Sequence, residues 1–204
     1  WLEGSTPEDS IVAAWWDYGY WITVMGNRTS LADNATINGT RIAVLGQMFM
    51  SPEEESLEIL DSLDADYVLI FLAGTKTANQ QFGDLYLLGG GGDESKKQWF
   101  IRIGGFEDAE FMEPDGFSPN DNFWENSFLG RLMPFTWELA VDAENNVYQE
   151  YEFNPERTNL YAYNMKYPAD GNGPLRLAFA SSSLQPDAPP GRFSGVLIYE
   201  IVKD

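Results

Sequence analysis

The run Asp66-Tyr67-Val68-Leu69-Ile70-Phe71-Leu72 constrains the fold more than any other stretch of the chain. It is apolar without alternation, too short to cross a bilayer, and rich in residues that favour strands. A strand that is apolar on both faces must be covered on both faces, so it is expected in the interior of a parallel sheet with helices packed over it. The preceding residues supply those helices. Ile42, Leu45 and Phe49 fall at i, i+3 and i+7, which predicts a helix over 41–49 with one apolar stripe. Ser51-Pro52-Glu53-Glu54 reads as a second helix start, with Ser at the N-cap, Pro at the first helical position and Glu closing a capping box. Leu57, Ile59, Leu60 and Leu63 would form its buried face. Upstream, Ile11-Val12-Ala13-Ala14 reads as a buried strand entering a turn. Strand, helices and strand make an α/β unit with a right-handed crossover.

Further along, Gly89 to Gly92 must be a loop, and it fits neither a phosphate-binding loop nor a dinucleotide fingerprint. Residues 93–103 are expected to be helical, with Asp93, Lys96 and Phe100 on one face. Ser118-Pro119-Asn120-Asp121 opens another helix, with Phe123, Trp124, Phe128 and Leu132 available for burial. From about Pro134 the period becomes alternating. Trp137, Leu139 and Val141 form one strand, Glu144-Asn145-Asn146 turns, and residues 147–153 return. Tyr161, Tyr163, Met165 and Tyr167 alternate again, Asp170 to Gly173 turns, Leu175, Leu177 and Phe179 return, and 196–202 forms the last strand. The expected class is α+β: an α/β mixed core over 1–133, followed by a mainly antiparallel β layer over 134–204 packed on it.

Composition removes several function classes. The 204 residues are 44% apolar, enough for a sizeable core, and carry a formal net charge of −20. The 12 basic residues are scattered, so no nucleic-acid partner is expected. Cys and His are both absent, which rules out disulfides, thiol nucleophiles, Cys/His zinc sites and His-based triads. Glu3, Glu8 and Asp9 interrupt any signal-peptide pattern, and a chain beginning at Trp1 is expected to be a piece of something larger.

The chemistry is concentrated in Trp15-Trp16-Asp17-Tyr18-Gly19, directly after the first strand. An indole N–H only donates and an ionised carboxylate only accepts, so together they suit a hydroxyl, which does both. The competing reading makes Trp15 and Trp16 core aromatics and Asp17 a turn residue or helix cap.

These five residues match the pentapeptide of the oligosaccharyltransferase catalytic subunit, and three further stretches agree in register: Asp33-Asn34-Ala35-Thr36-Ile37-Asn38-Gly39-Thr40-Arg41-Ile42-Ala43, the helix start at Ser51 with Asp66-Tyr67-Val68, and Asp93-x-x-Lys96. Phe100 stands where that family usually has Met or Ile. Over residues 11–103 the chain therefore resembles the C-terminal globular domain of that subunit, in its compact archaeal form.

The resemblance implies that Trp15 and Trp16 donate to the +2 Ser/Thr hydroxyl of an Asn-x-Ser/Thr acceptor, that Asp17 accepts its proton, and that Phe100 holds the Thr methyl. Lys96 would sit nearby, paired with Asp17 or Asp93; a plain surface i,i+3 pair is the alternative. Tyr18 and Gly19 would shape the turn, Gly19 through a positive φ. Transfer from a lipid-linked oligosaccharide would use a divalent Mg or Mn and carboxylates in a transmembrane region upstream of Trp1. On that reading the domain sits on the extracytoplasmic face, holds no catalytic or metal residue, needs no cofactor of its own and is inactive alone. Sequons at Asn27, Asn34 and Asn38 make these glycosylation candidates, Asn38 or Asn34 ahead of Asn27. The rival readings are a secreted carbohydrate-binding module or glycosidase, and a Ca²⁺-using structural module at Asp170 to Gly173.

Overall fold

The structure is a computed structural model of the 204-residue chain. It describes residues 1–79, 83–89, 91–133, 135–141, 147–148, 159–165, 173–185 and 187–203. The apolar run is the start of a long strand, β3 (Tyr67–Asn79). It lies in the middle of one mixed, nine-stranded sheet that also holds β1 (Ile11–Ala13), β2 (Thr29–Ser30), β4 (Gly83–Leu88), β5 (Phe135–Val141), β6 (Val147–Tyr148), β7 (Asn159–Met165), β8 (Leu175–Ala180) and β9 (Gly191–Ile201).

One edge of β3 pairs with β9, antiparallel and without a break from Tyr67↔Glu200 to Lys76↔Gly191. The other edge is shared: β1 runs parallel to it at Val12↔Tyr67 and Ala13↔Val68, and β4 runs antiparallel from Gly74↔Leu88 to Asn79↔Gly83. Beyond β1 lies β2; beyond β4 come β7, β5 and β6; and β8 pairs with β9. The apolar run is thus central but not inside a parallel sheet. Burial on both faces requires apolar cover whichever way the neighbouring strand runs, and the antiparallel β9 is itself buried at Leu197, Ile198 and Tyr199.

The C-terminal third is antiparallel as expected, but β8 returns against β9 while β7 pairs with β4 and β5. Alternation shows that a segment is a strand without naming its partner. The expected turns at 144–146 and 170–172, residue 90 of the glycine run, residues 149–153 and the side chains of 135–141 and 159–167 lie outside the described residues.

The short α1 (Leu2–Ser5) is tied down by Arg28, whose buried guanidinium donates to the carbonyls of Glu3 and Thr6 and to Thr6 Oγ1. Helix α2 (Gly39–Met50) buries Ile42, Leu45 and Phe49 as its stripe requires, and Asn38 Oδ1 caps it by accepting from Arg41 N at 2.9 Å. Helix α3 (Glu53–Ser62) begins without the expected Ser51 cap, and Ser51 Oγ is buried and unpaired. The Ser51 carbonyl instead accepts from Phe128 N, and Ser56 Oγ donates to the Met48 and Pro52 carbonyls. Ser51 closes α2, which fixes its orientation before α3 begins.

Residues 93–103 are helical in two pieces, a 3-10 turn over Asp93–Lys96 and then α4 (Lys97–Gly104). Helices α2 and α4 cross with their backbones touching, since a Cβ on Gly46 would lie 2.9 Å from Gly104 N. Helix α5 (Asp108–Phe111) leads to α6 (Asp121–Asn126) and α7 (Phe128–Leu132). Asn120 rather than Ser118 caps α6, and the single expected helix is split at Ser127, whose hydroxyl donates to Phe123 O and accepts from Gly130 N.

Candidate functional site

Strand β1 ends at Ala13, and the chain leaves the sheet through an extended Trp15 into a 3-10 turn over Trp16–Tyr18. A π-helical turn, Trp21–Met25, follows. Gly19 has φ −55°, so the expected positive φ is not the reason for glycine here. A Cβ at this position would lie 2.3 Å from Ala32 O and 2.4 Å from Asp33 Cα. The glycine lets the loop after β2 lie directly against the turn.

On the edge of β3 facing the turn, β1 pairs as far as Val68 and β4 begins at Gly74. Phe71 N, in the interval, donates to Asp93 Oδ2 at 2.8 Å. The carboxylate takes the place of a neighbouring strand's carbonyl, satisfying a backbone donor that would otherwise be stranded. The close approach of Gly92, where a Cβ would sit 2.8 Å from Ala73 N, brings Asp93 into reach.

Asp93 Oδ1 accepts from the Tyr18 hydroxyl at 2.6 Å, and Tyr18 Oη accepts from Lys96 Nζ at 2.8 Å. Lys96 Nζ also donates to Asp17 Oδ2 at 2.7 Å and lies 3.8 Å from Asp93 Oδ1. The chain of contacts runs from the fully buried Asp93 to the partly exposed Asp17. Burial raises the Asp93 carboxyl to about 6, outweighing the lowering by Phe71 N–H, Tyr18 O–H and Lys96. Burial, with the charges of Asp93 and Asp17, pushes the Tyr18 phenol upward, which keeps it a donor.

Trp15 is only 2% exposed and meets Phe100 edge-on at 4.4 Å between ring centroids. Trp16, half-buried, lies 6.3 Å from Trp15 at a tilt of 46°. Phe100 departs from its expected place: it is fully buried between Trp15 and Phe49, so it supports the indole from beneath rather than lining an open pocket. Among the described residues neither indole N–H has a hydrogen-bond acceptor, and Asp17 Oδ1 has no donor.

Of the expected site residues, the structure therefore joins Asp17, Tyr18, Asp93 and Lys96 directly, and it sets Phe100 edge-on against Trp15. Lys96 forms its short contact with Asp17, not the plain i,i+3 pair. Tyr18 is more than a turn residue: it links Asp93 to Lys96. Asn34, expected only as a glycosylation candidate, also holds the turn: its Nδ2 donates to Asp17 O at 3.0 Å and its Oδ1 accepts from Tyr20 N at 3.4 Å. These contacts span 17 and 14 residues, and no local pattern announces them.

Among the described residues no group of three or more carboxylates is placed to hold a metal ion. No helix among them is long and apolar enough to cross a membrane.

Residues 3–73 match the family model of the AglB core domain. The chain is 44% identical over 125 residues to the STT3 subunit of a dolichyl-diphosphooligosaccharide–protein glycosyltransferase from Saccharomyces cerevisiae, covering 60% of this chain and 16% of that protein. It is 42% identical over 115 residues to an STT3B subunit of Oryza sativa subsp. japonica, covering 56% of this chain and 14% of that protein. The chain thus spans about one-seventh of the length of these relatives. In fold it is similar to the C-terminal globular domain of an oligosaccharyltransferase from Archaeoglobus fulgidus, with a TM-score of 0.51 and 16% identity over 99% of this chain and 92% of that one. Sequence match and fold converge: over residues 3–73 the chain matches an AglB core domain, it is similar in sequence to STT3 subunits, and it is similar in fold to the globular domain of an archaeal oligosaccharyltransferase.

Proposed function

We propose that this domain binds the +2 Ser or Thr of an Asn-x-Ser/Thr acceptor at Trp15, Trp16 and Asp17, while the membrane-embedded part of the parent enzyme transfers oligosaccharide from a lipid-linked donor to the Asn. The observation that carries the reading is the arrangement around Asp17. Lys96 holds one carboxylate oxygen, and among the described residues the other has no donor, while the indole N–H groups of the two preceding residues, Trp15 and Trp16, have no acceptor. A peptide hydroxyl supplies both missing halves, taking a hydrogen bond from an indole and giving its own proton to Asp17 as a bond.

Valine at +2 supplies neither half. Each polar group then enclosed without a partner costs roughly 1–3 kcal/mol, which suits a receptor that selects hydroxyl over methyl. Phe100 contributes by fixing the Trp15 ring, and Asp93, Tyr18 and Lys96 fix the carboxylate. The domain contributes orientation, converting binding energy at +2 into placement of the Asn. The divalent Mg or Mn implied for transfer belongs, on this reading, to the membrane part, and the domain faces the extracytoplasmic side.

The test is transfer by membranes carrying the parent chain, comparing wild type with Asp17→Ala on peptides bearing Thr, Ser or Val at +2. Loss of transfer to the Thr and Ser peptides is expected. Unchanged transfer with an unchanged Thr-over-Val preference would return Trp15 and Trp16 to the role of core aromatics.

A further inference from the structure

The loop after β2 does more than connect it to α2. Ala32 and Asp33 press against Gly19 so closely that no side chain fits between them. From the next residue, Asn34 reaches across with both ends of its carboxamide: Nδ2 donates to the carbonyl of Asp17, and Oδ1 accepts from the backbone N–H of Tyr20. The two contacts bracket Tyr18 and Gly19, so the carboxamide clamps the C-terminal end of the turn that carries Asp17. Lys96 holds the Asp17 side chain from one direction, and Asn34 holds its backbone from another.

We infer that Asn34 is a positioning residue for acceptor recognition: its carboxamide fixes the backbone of Asp17 and so aims the Asp17 carboxylate at the +2 hydroxyl. The inference rests on the acceptor reading above and adds a residue that touches neither the peptide nor the reacting atoms. The same Asn opens a sequon with Thr36, which offers a way to separate the carboxamide from anything attached to it. Thr36→Ala abolishes the sequon and leaves Asn34 in place. Asn34→Ala removes both contacts, whereas Asn34→Asp keeps an acceptor for Tyr20 N and removes the donor to Asp17 O.

The experiment measures KM and kcat for Thr and Ser peptides using membranes that carry the full parent chain with Asp17→Ala, Asn34→Ala, Asn34→Asp or Thr36→Ala. Removing one backbone-directed hydrogen bond should raise KM about tenfold in both Asn34 variants, with kcat within about twofold of wild type. Thr36→Ala should match wild type. If Asp17→Ala raises KM and the Asn34 variants do not, the positioning role falls and the acceptor site stands. If none of the variants changes KM, both fall. A KM rise in Thr36→Ala equal to that in Asn34→Ala would assign the effect to an attached glycan and overturn the inference. A loss of kcat with unchanged KM in the Asn34 variants would mark a merely structural loop and also overturn it.

Discussion

The two edges of β3 satisfy the same hydrogen-bonding demand in different ways. Toward β9 the strand meets a continuous backbone ladder from Tyr67 to Lys76. Toward β1 and β4 the ladder stops at Val68 and resumes at Gly74, and between them Phe71 N relies on the side chain of Asp93. The closed edge satisfies its own backbone groups. The open edge places a carboxylate inside the sheet, where it organises Tyr18, Lys96 and, through Lys96, Asp17. The polar cluster forms where the regular structure is interrupted, because there a buried backbone group is left to anchor a polar side chain.

Asp93→Ala should expose this difference most strongly. It strands the Phe71 N–H and the Tyr18 hydroxyl, at roughly 1–3 kcal/mol each, and a urea midpoint lowered by the combined loss is expected. Asp93→Asn retains a carbonyl acceptor and should cost about half as much; a change below about 1 kcal/mol for Asp93→Ala would mean that the gap is not held by this carboxylate.

On the closed edge, Leu197→Ala should cost about 2–5 kcal/mol by opening a cavity at a fully buried position, while Thr-over-Val preference in the parent enzyme stays as in wild type. A shifted preference would show that the two edges are coupled. Gly46→Ala forces α2 off α4 and should cost roughly 1–3 kcal/mol. Because α4 continues from the turn carrying Lys96, this substitution should also weaken discrimination at +2, unlike Leu197→Ala.

The two edges should also differ in their dependence on pH. The Asp93 carboxyl is raised from 3.8 to about 6 in the folded chain, chiefly by burial. Between those values the unfolded chain has lost the proton that the folded chain keeps, so this group's contribution to stability is full below 3.8 and is lost as pH rises through 6. The difference in Tm between wild type and Asp93→Asn should therefore shift against wild type as pH rises over that interval. A shift in the other direction would break the assignment.

The parts legible in the sequence are those that depend on periodicity and local chemistry. The stripe of Ile42, Leu45 and Phe49 located α2, and the unbroken apolar run located the centre of the sheet. The pentapeptide and the Asp93-x-x-Lys96 spacing marked residues that the structure brings together, though not their contacts. The errors share one cause. Ser51 looked like a cap because Ser-Pro-Glu-Glu is a sound local rule, yet its carbonyl is committed to Phe128, 77 positions further along the chain. Gly19 looked like a positive-φ glycine, but its need comes from Ala32 and Asp33. Strand β7 looked like the partner of β8, and the choice was made by β9 and β4.

The sequence by itself determined which segments are helix and strand through the core, the absence of Cys and His chemistry, and the identity of the residues around Trp15-Trp16-Asp17. Only the tertiary structure decided that Asp93 fills a gap in the sheet, that Tyr18 joins it to Lys96, that Phe100 lies beneath Trp15, and that Asn34 clamps the turn. Local pattern records the solvent-facing and core-facing character of each residue. The partner of a buried carboxylate or carboxamide is set by which distant backbone groups the fold leaves without a mate, and that exists only once the strands have paired.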